Sequence, residues 1–233
     1  MRFQDAALDA RAIVYAGIQA DPLVAEAAAL LADANPAQRV LARAVMNGES
    51  TDPDAWRIMF PTLFADGADP SARERCEAIL QAALRVAERG EAVRSQVRGA
   101  IVESVTERLL ARRAGRAVKR ERRILFDGVR SEIHPYDVTV ESATPEVYDC
   151  KWGARGITAE VLLQLATARA NAAAEGLDLA VALVVFDAHR SCLVRLARQR
   201  GAAGVTGLVA LESLRGLARA RPVAIPRVAG ATP

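Results

Sequence analysis

Two carboxylates and one amine are spaced along this sequence so that a pair of β-strands would bring them together. Tyr148-Asp149-Cys150-Lys151-Trp152 reads as the end of a strand. Side chains alternate faces along a strand, so Asp149 and Lys151 point one way and Cys150 the other. Pro135-Tyr136-Asp137-Val138-Thr139-Val140 reads as the strand before it. Val138 and Val140 share a face there, which leaves Asp137 on the opposite one. A tight hairpin through residues 142–145 then sets Asp137 beside Asp149. Two carboxylates and a lysine at the ends of adjoining strands form a hard-oxygen metal site with a cation next to it.

The choice of lysine supports this reading. The chain has two lysines, Lys119 and Lys151, against 29 arginines. Surface charge alone predicts arginine at position 151. Arginine is a planar fork that holds its proton, whereas lysine is a compact charge that can be tuned beside a metal-bound water.

The elements that must position these groups follow from periodicity. Residues 1–92 read as helices throughout, with apolar stretches over 5–19, 22–34, 36–47, 54–65 and 71–89. Asp21-Pro22, Asn35-Pro36 and Asp52-Pro53 place a capping side chain before a first-turn proline. A helix over 91–114 carries the stripe Ile101, Val105, Leu109 and ends at Gly115. Short β-prone segments follow at 124–129, 136–141 and 146–152. Next come a helix over 158–175, an apolar run over 179–186 that reads as a strand buried on both faces, and a helix over 191–199. A strand over 205–210 and a helix over 211–218 close the series. The expected class is α/β, with a central mixed sheet flanked by helices and an all-helical N-terminal subdomain. The divisions are 1–92, 93–220 and a loose tail over 221–233.

The order of helix with Glu103, strand with Asp137, strand with Asp149-x-Lys151, amphipathic helix and buried strand resembles the PD-(D/E)xK restriction-endonuclease-like core. In particular it resembles Mrr-like type IV restriction enzymes and archaeal Holliday-junction resolvases. The closing stretch Gly204–Leu214 is similar to the strand-then-helix ending of Mrr-like domains. The resemblance covers about residues 93–219. It implies an α-β-β-β-α-β core and a Mg²⁺-dependent deoxyribonuclease, with Mn²⁺ as a substitute, acting on duplex or branched DNA. It implies Asp137, Asp149 and the Cys150 carbonyl as metal ligands, Glu103 completing the shell, and Lys151 beside the attacking water. Gln164 falls where some relatives place a helper polar residue. Glu107 and Asp127 compete with Glu103 for the further carboxylate. The motif's proline–aspartate pair stands here as Pro135-Tyr136-Asp137, with a tyrosine inserted. A role in restriction of foreign DNA is analogy.

Charge is uneven. Residues 1–92 carry 9 Arg and 14 Asp+Glu, a net of −5; residues 93–233 carry 22 Lys+Arg and 14 Asp+Glu, a net of +8. The basic part suits a polyanion. Arg112, Arg113, Arg116, Lys119, Arg120, Arg122 and Arg123, clustered between helix and first strand, and Arg155 after the motif are candidate phosphate contacts. The acidic part suits a protein partner or self-association. Two other readings remain: a nucleic-acid-binding module of the same fold that does not cut, and an assembly protein acting through residues 1–92. Aromatic residues are only 4%, which disfavours a base-stacking groove. Three distant cysteines, two histidines and the lack of a phosphate-loop glycine fingerprint argue against a disulfide framework, a zinc site or nucleotide chemistry. No apolar run is long enough to span a bilayer and no leader is visible, so a cytoplasmic protein without a membrane partner is expected.

Overall fold

The computed structural model describes residues 1–7, 9–65, 67, 69–130, 134–199 and 207–222. Parts of the sequence reading at Asp66, at Gly204–Thr206 and in the tail from residue 223 lie outside them. The chain divides into two compact units, Leu8–Arg108 and Met1–Ala7 with Leu109–Pro233.

The first unit is helical: α1 (Ala10–Gln19), α2 (Pro22–Asp33), α3 (Pro36–Asn47), α4 (Pro53–Met59), α5 (Pro61–Phe64), α6 (Pro70–Ala87) and most of α7 (Glu91–Ala114). Local chemistry sets where α2, α3, α4 and α6 begin. Asp21, Asn35, Asp52 and Asp69 each accept a first-turn N–H, and a proline follows each one. The proline fixes φ and needs no hydrogen-bond acceptor there. Asn35 and Gln38 cap reciprocally. The core is built from Val24, Ala27, Ala28 and Leu31 of α2, Leu41 and Val45 of α3, and Ile79, Leu80 and Ala83 of α6. Alanine at so many of these positions lets the helices approach closely. Arg39 is fully buried, and its guanidinium donates to the Leu31 and Ala32 carbonyls at 3.0 and 3.3 Å. It thereby satisfies acceptors that the C-terminus of α2 leaves open.

Asp21 does two jobs: it accepts from Leu23 N–H at 2.8 Å and pairs with Arg89 at 2.6 Å. Burial pushes its pKa up, but the Leu23 N–H and Arg89 outweigh burial and hold it below the ordinary value. Asp21→Ala is expected to cost about 1 kcal/mol of unfolding free energy, measured with urea at pH 7. Because the folded pKa is depressed, that contribution is present above the unfolded value of about 3.9 and is lost as pH falls through the folded one. The gap between wild type and variant should close toward acid.

The second unit is a seven-stranded mixed sheet, β1 (Arg2–Asp5), β2 (Val118–Phe126), β3 (Val129–Arg130), β4 (Tyr136–Val140), β5 (Glu146–Lys151), β6 (Ala180–Val185) and β7 (Gly207–Ala210). The order is β1-β2-β4-β5-β6-β7, with β3 paired to β2. Pairs from β1 to β5 are antiparallel; β5–β6 and β6–β7 are parallel. Parallel neighbours need crossovers, which α8 (Ala159–Ala174) and α9 (His189–Ala197) occupy. Leu162, Leu165, Ala168 and Ala172 of α8 pack with Val147, Val181, Leu183 and Val185 of the sheet. Residues 181–185 of β6 are all buried, as a strand covered on both faces must be. The α/β class is therefore as the periodicity implies. No single helix among the described residues is long and apolar enough to cross a membrane.

Four details correct the sequence reading. Arg2–Asp5 is a strand paired to Leu125–Arg122, so residues 1–92 are not helical throughout. β2 starts at Val118 rather than at residue 124, which puts Lys119–Arg123 inside a strand rather than in a connector. Charged residues have weak β-propensity, but β2 lies between two neighbours and the ladder overrides it. The reading of a strand through residues 124–129 is broken at Asp127-Gly128, whose φ values of 48° and 77° make a two-residue hairpin turn. The segment Leu211–Ala218 is a 3-10 helix.

Candidate active site

The β4–β5 ladder pairs Val140 with Glu146, Thr139 with Val147 and Val138 with Tyr148. One step further in the same register, Asp137 falls opposite Asp149. There the backbone ladder gives way to a side chain: Asp137 Oδ2 accepts the Cys150 N–H at 2.5 Å. β5 continues along β6 to the Lys151–Val185 pair, so Asp149 and Lys151 sit at the carboxyl end of a parallel strand pair. That edge is where open α/β sheets hold ligands.

The Lys151 ammonium is ion-paired with Asp149 Oδ1. Asp149 is buried, 7% exposed, and Asp137 and Lys151 are half-buried. Burial pulls the Lys151 pKa down, but the charges of Asp137 and Asp149 outweigh it and leave the ammonium more firmly protonated than a free lysine. Lys151 therefore presents a positive charge beside the two carboxylates. Asp137, Asp149, Cys150 and Lys151 come together as the strand alternation requires.

Glu121, marked by no motif in the sequence, joins these carboxylates through strand pairing. It lies between Arg120, paired with Val138, and Arg122, paired with Tyr136, so it falls opposite Asp137. Carboxylate oxygens of Glu121 and Asp137 lie within 4.8 Å of each other. Glu121 has φ +50°, a left-handed conformation uncommon for a residue with a side chain. The signal was the single acid in Lys119-Arg120-Glu121-Arg122-Arg123, but only strand pairing gives it meaning. Asp137, Asp149 and Glu121 offer carboxylate oxygens of the kind a hard divalent cation takes.

Glu103 lies in the helical unit, buried on α7, where it accepts from Tyr15 Oη at 2.5 Å and from Gln19 Nε2 at 2.8 Å. Glu107 is half-buried on the same helix and Asp127 is exposed in its turn. Gln164, buried on α8, accepts from the His134 N–H at 3.3 Å and donates to the His134 carbonyl at 3.0 Å. That two-point bond fixes the chain just ahead of β4.

The candidate phosphate contacts divide. Arg113 donates to both carboxylate oxygens of Glu146 at 2.8 and 2.5 Å, to Tyr148 Oη at 3.1 Å and to the Leu217 carbonyl at 2.7 Å. Arg122 pairs with Glu141 at 2.5 Å and with Asp5. Both are tied into the sheet unit by these carboxylates. Arg120 and Arg123 are half-buried on β2, while Arg112, Arg116, Lys119 and Arg155 are exposed.

Comparison with protein-family models, with curated proteins and with solved structures finds no match to this chain.

Proposed function

We propose that the chain is a Mg²⁺-dependent deoxyribonuclease with a restriction-endonuclease-like core, hydrolysing phosphodiester bonds of duplex or branched DNA, with Mn²⁺ able to replace Mg²⁺. The observation that carries this reading is the meeting of Asp137, Asp149 and the Lys151 ammonium at one end of the β4–β5 pair. The order α7-β2-β3-β4-β5-α8-β6, in which β3 is a two-residue strand paired only to β2, gives an antiparallel meander followed by a parallel strand and supports the core.

The acidic oxygens of Asp137 and Asp149, with Glu121 beside them, suit a hard cation. When bound, such a cation supplies Lewis acidity and a more acidic water. Lys151 offsets negative charge on the phosphorane-like transition state, in a half-buried setting where charge acts more strongly than in water. Exposed Arg112, Arg116, Lys119 and Arg155 hold the phosphate backbone. Glu103 keeps the further-ligand role only as an implication of the resemblance, open to a Glu103→Gln variant. The acidic helices keep a proposed role in protein contact.

One observation favours a second reading, a module that grips DNA without cutting. Lys151 already neutralises Asp149, so a cation must displace that pair, and a site that never opens would only bind. Supercoiled plasmid incubated with Mg²⁺ or Mn²⁺, beside EDTA, separates the two. Metal-dependent nicking removed by Asp137→Asn supports the nuclease, and salt-sensitive binding without nicking supports the module. In either case the Arg116→Ala/Lys119→Ala double variant should lower the slope of log binding constant against log salt by about 2, since each phosphate contact contributes roughly 0.9. An unchanged slope removes both residues from the interface.

A further inference from the structure

Lys151 is a long side chain at the end of a strand, and its usefulness depends on where its ammonium is held. Two loops at the carboxyl ends of β5 and β6 determine that. After Lys151 the chain turns through a 3-10 segment, Ala154–Gly156, closed by Gly156 N–H to the Gly153 carbonyl at 2.9 Å and Ile157 N–H to the Ala154 carbonyl at 3.0 Å. This turn presses on the lysine stem. A Cβ on Gly156 would sit 2.8 Å from Lys151 Cδ and 3.0 Å from its Cβ and Cγ. The approach to Cδ is closer than real Cβ atoms make, and Lys151 Cβ, fixed to the backbone, does not move with side-chain rotation.

The turn is itself held from the neighbouring strand. Asp187 follows β6 and uses both carboxylate oxygens. Oδ2 accepts the Ala154 N–H at 3.0 Å, and Oδ1 accepts the Ala188 N–H at 2.8 Å, just before α9. Phe186 N–H donates to the Lys151 carbonyl at 2.9 Å, and the Phe186 ring stacks on Trp152 with centroids 5.0 Å apart. At the turn's exit, Arg195 Nε donates to the Ile157 carbonyl at 3.0 Å. These bonds from Phe186, Asp187 and α9 meet the chain between residues 151 and 157.

We propose that Asp187 is a positioning residue for Lys151: its carboxylate holds the Ala154–Gly156 turn against the lysine stem and so sets where the ammonium stands relative to Asp149. Gly156 is the contact point of that device, and glycine is required there by the close approach rather than by its backbone angles. The assignment of a catalytic role to Lys151 rests on the nuclease reading; the positioning of its side chain does not. Misplacement of a reacting group by about 1 Å can cost on the order of 10²-fold in rate, so the device matters if the site is catalytic.

The test exploits the two lysines. Protein labelled with ¹³C only in lysine gives two sets of Cε–Hε cross-peaks, assigned with Lys119→Arg. At one fixed pH, Asp187→Ala and Gly156→Ala are each expected to move the Lys151 peak toward the free-lysine position while the Lys119 peak stays in place. Asp187→Asn, whose amide oxygen still accepts from Ala154, is expected to keep the Lys151 peak near wild type. Lys119 is exposed and serves as the chemical-shift reference, and a cooperative thermal transition followed by circular dichroism shows that each variant remains folded. Where Asp187→Ala lacks a cooperative transition, the Gly156→Ala and Asp187→Asn pair decides. In the cleavage assay, Asp187→Ala should lower kcat by about 10-fold or more with KM for DNA little changed, and Asp187→Asn should recover most of it. An unmoved Lys151 peak in both folded alanine variants overturns the proposal, as does an Asn variant that shifts it as far as alanine does. Shifted peaks in a protein that does not cut DNA retain the positioning role and reject the nuclease.

Discussion

Lys151→Ala is expected to lower metal-dependent DNA nicking by about 10²–10³-fold or more, the usual cost of removing one charge aimed at a developing anion. The ammonium stands beside Asp149, and the two carboxylates keep it protonated against the pull of burial. Nothing else in the Asp-x-Lys segment carries positive charge. Lys151→Arg should rescue little. A planar guanidinium with its donors in a rigid fork cannot reproduce the compact ammonium held beside Asp149. Two measurements belong together, nicking of supercoiled plasmid in Mg²⁺ and thermal unfolding of the same preparations. The second is needed because Asp149 is 7% exposed and loses its counter-ion in the alanine variant. A folded Lys151→Ala protein that nicks within threefold of wild type would end the nuclease proposal.

Arg113→Met is expected to destabilise the protein by about 3–5 kcal/mol, the range for removing one partner of a buried ion pair. Glu146 is 1% exposed at the start of β5. Its carboxylate receives two guanidinium bonds from Arg113 and a third from the Tyr148 hydroxyl. Burial and the adjacent Glu146 carboxylate raise the Tyr148 pKa well above the ordinary value, so Tyr148 stays a neutral donor and cannot replace the lost cation. Arg113 also ties the Leu217 carbonyl to the end of α7. The double variant Arg113→Met/Glu146→Gln should recover most of the loss, since the penalty comes from stranding a charge rather than from losing a favourable pair. Urea unfolding of the four proteins closes the cycle. By charge alone Arg113 is a candidate DNA contact. If it is one, the single variant will instead keep its stability and lose DNA affinity.

The features legible in the sequence are those decided within a few residues. Alternation along a strand forces Asp149 and Lys151 onto one face whatever the strand pairs with, and Asp137 follows by the same rule one hairpin away. The Asp-Pro and Asn-Pro starts of α2, α3 and α4 are equally local, because the cap bonds reach only two or three residues. The apolar run of β6 announces a covered strand by composition alone.

What only the tertiary structure decided depends on partners far along the chain. Arg2–Asp5 has no strand signature of its own and becomes β1 only because Arg122–Leu125 offers it an edge. The run Lys119–Arg123 is a strand because neighbours on both sides complete its hydrogen bonds, and that pairing alone brings Glu121 opposite Asp137. Ion-pair choice is of the same kind: Arg122 selects Asp5, 117 residues away, and Arg113 selects Glu146, 33 residues away. Residue type gives a charge its sign and a strand its two faces. The counter-ion and the register come from closing long loops, and no local pattern encodes which closure wins.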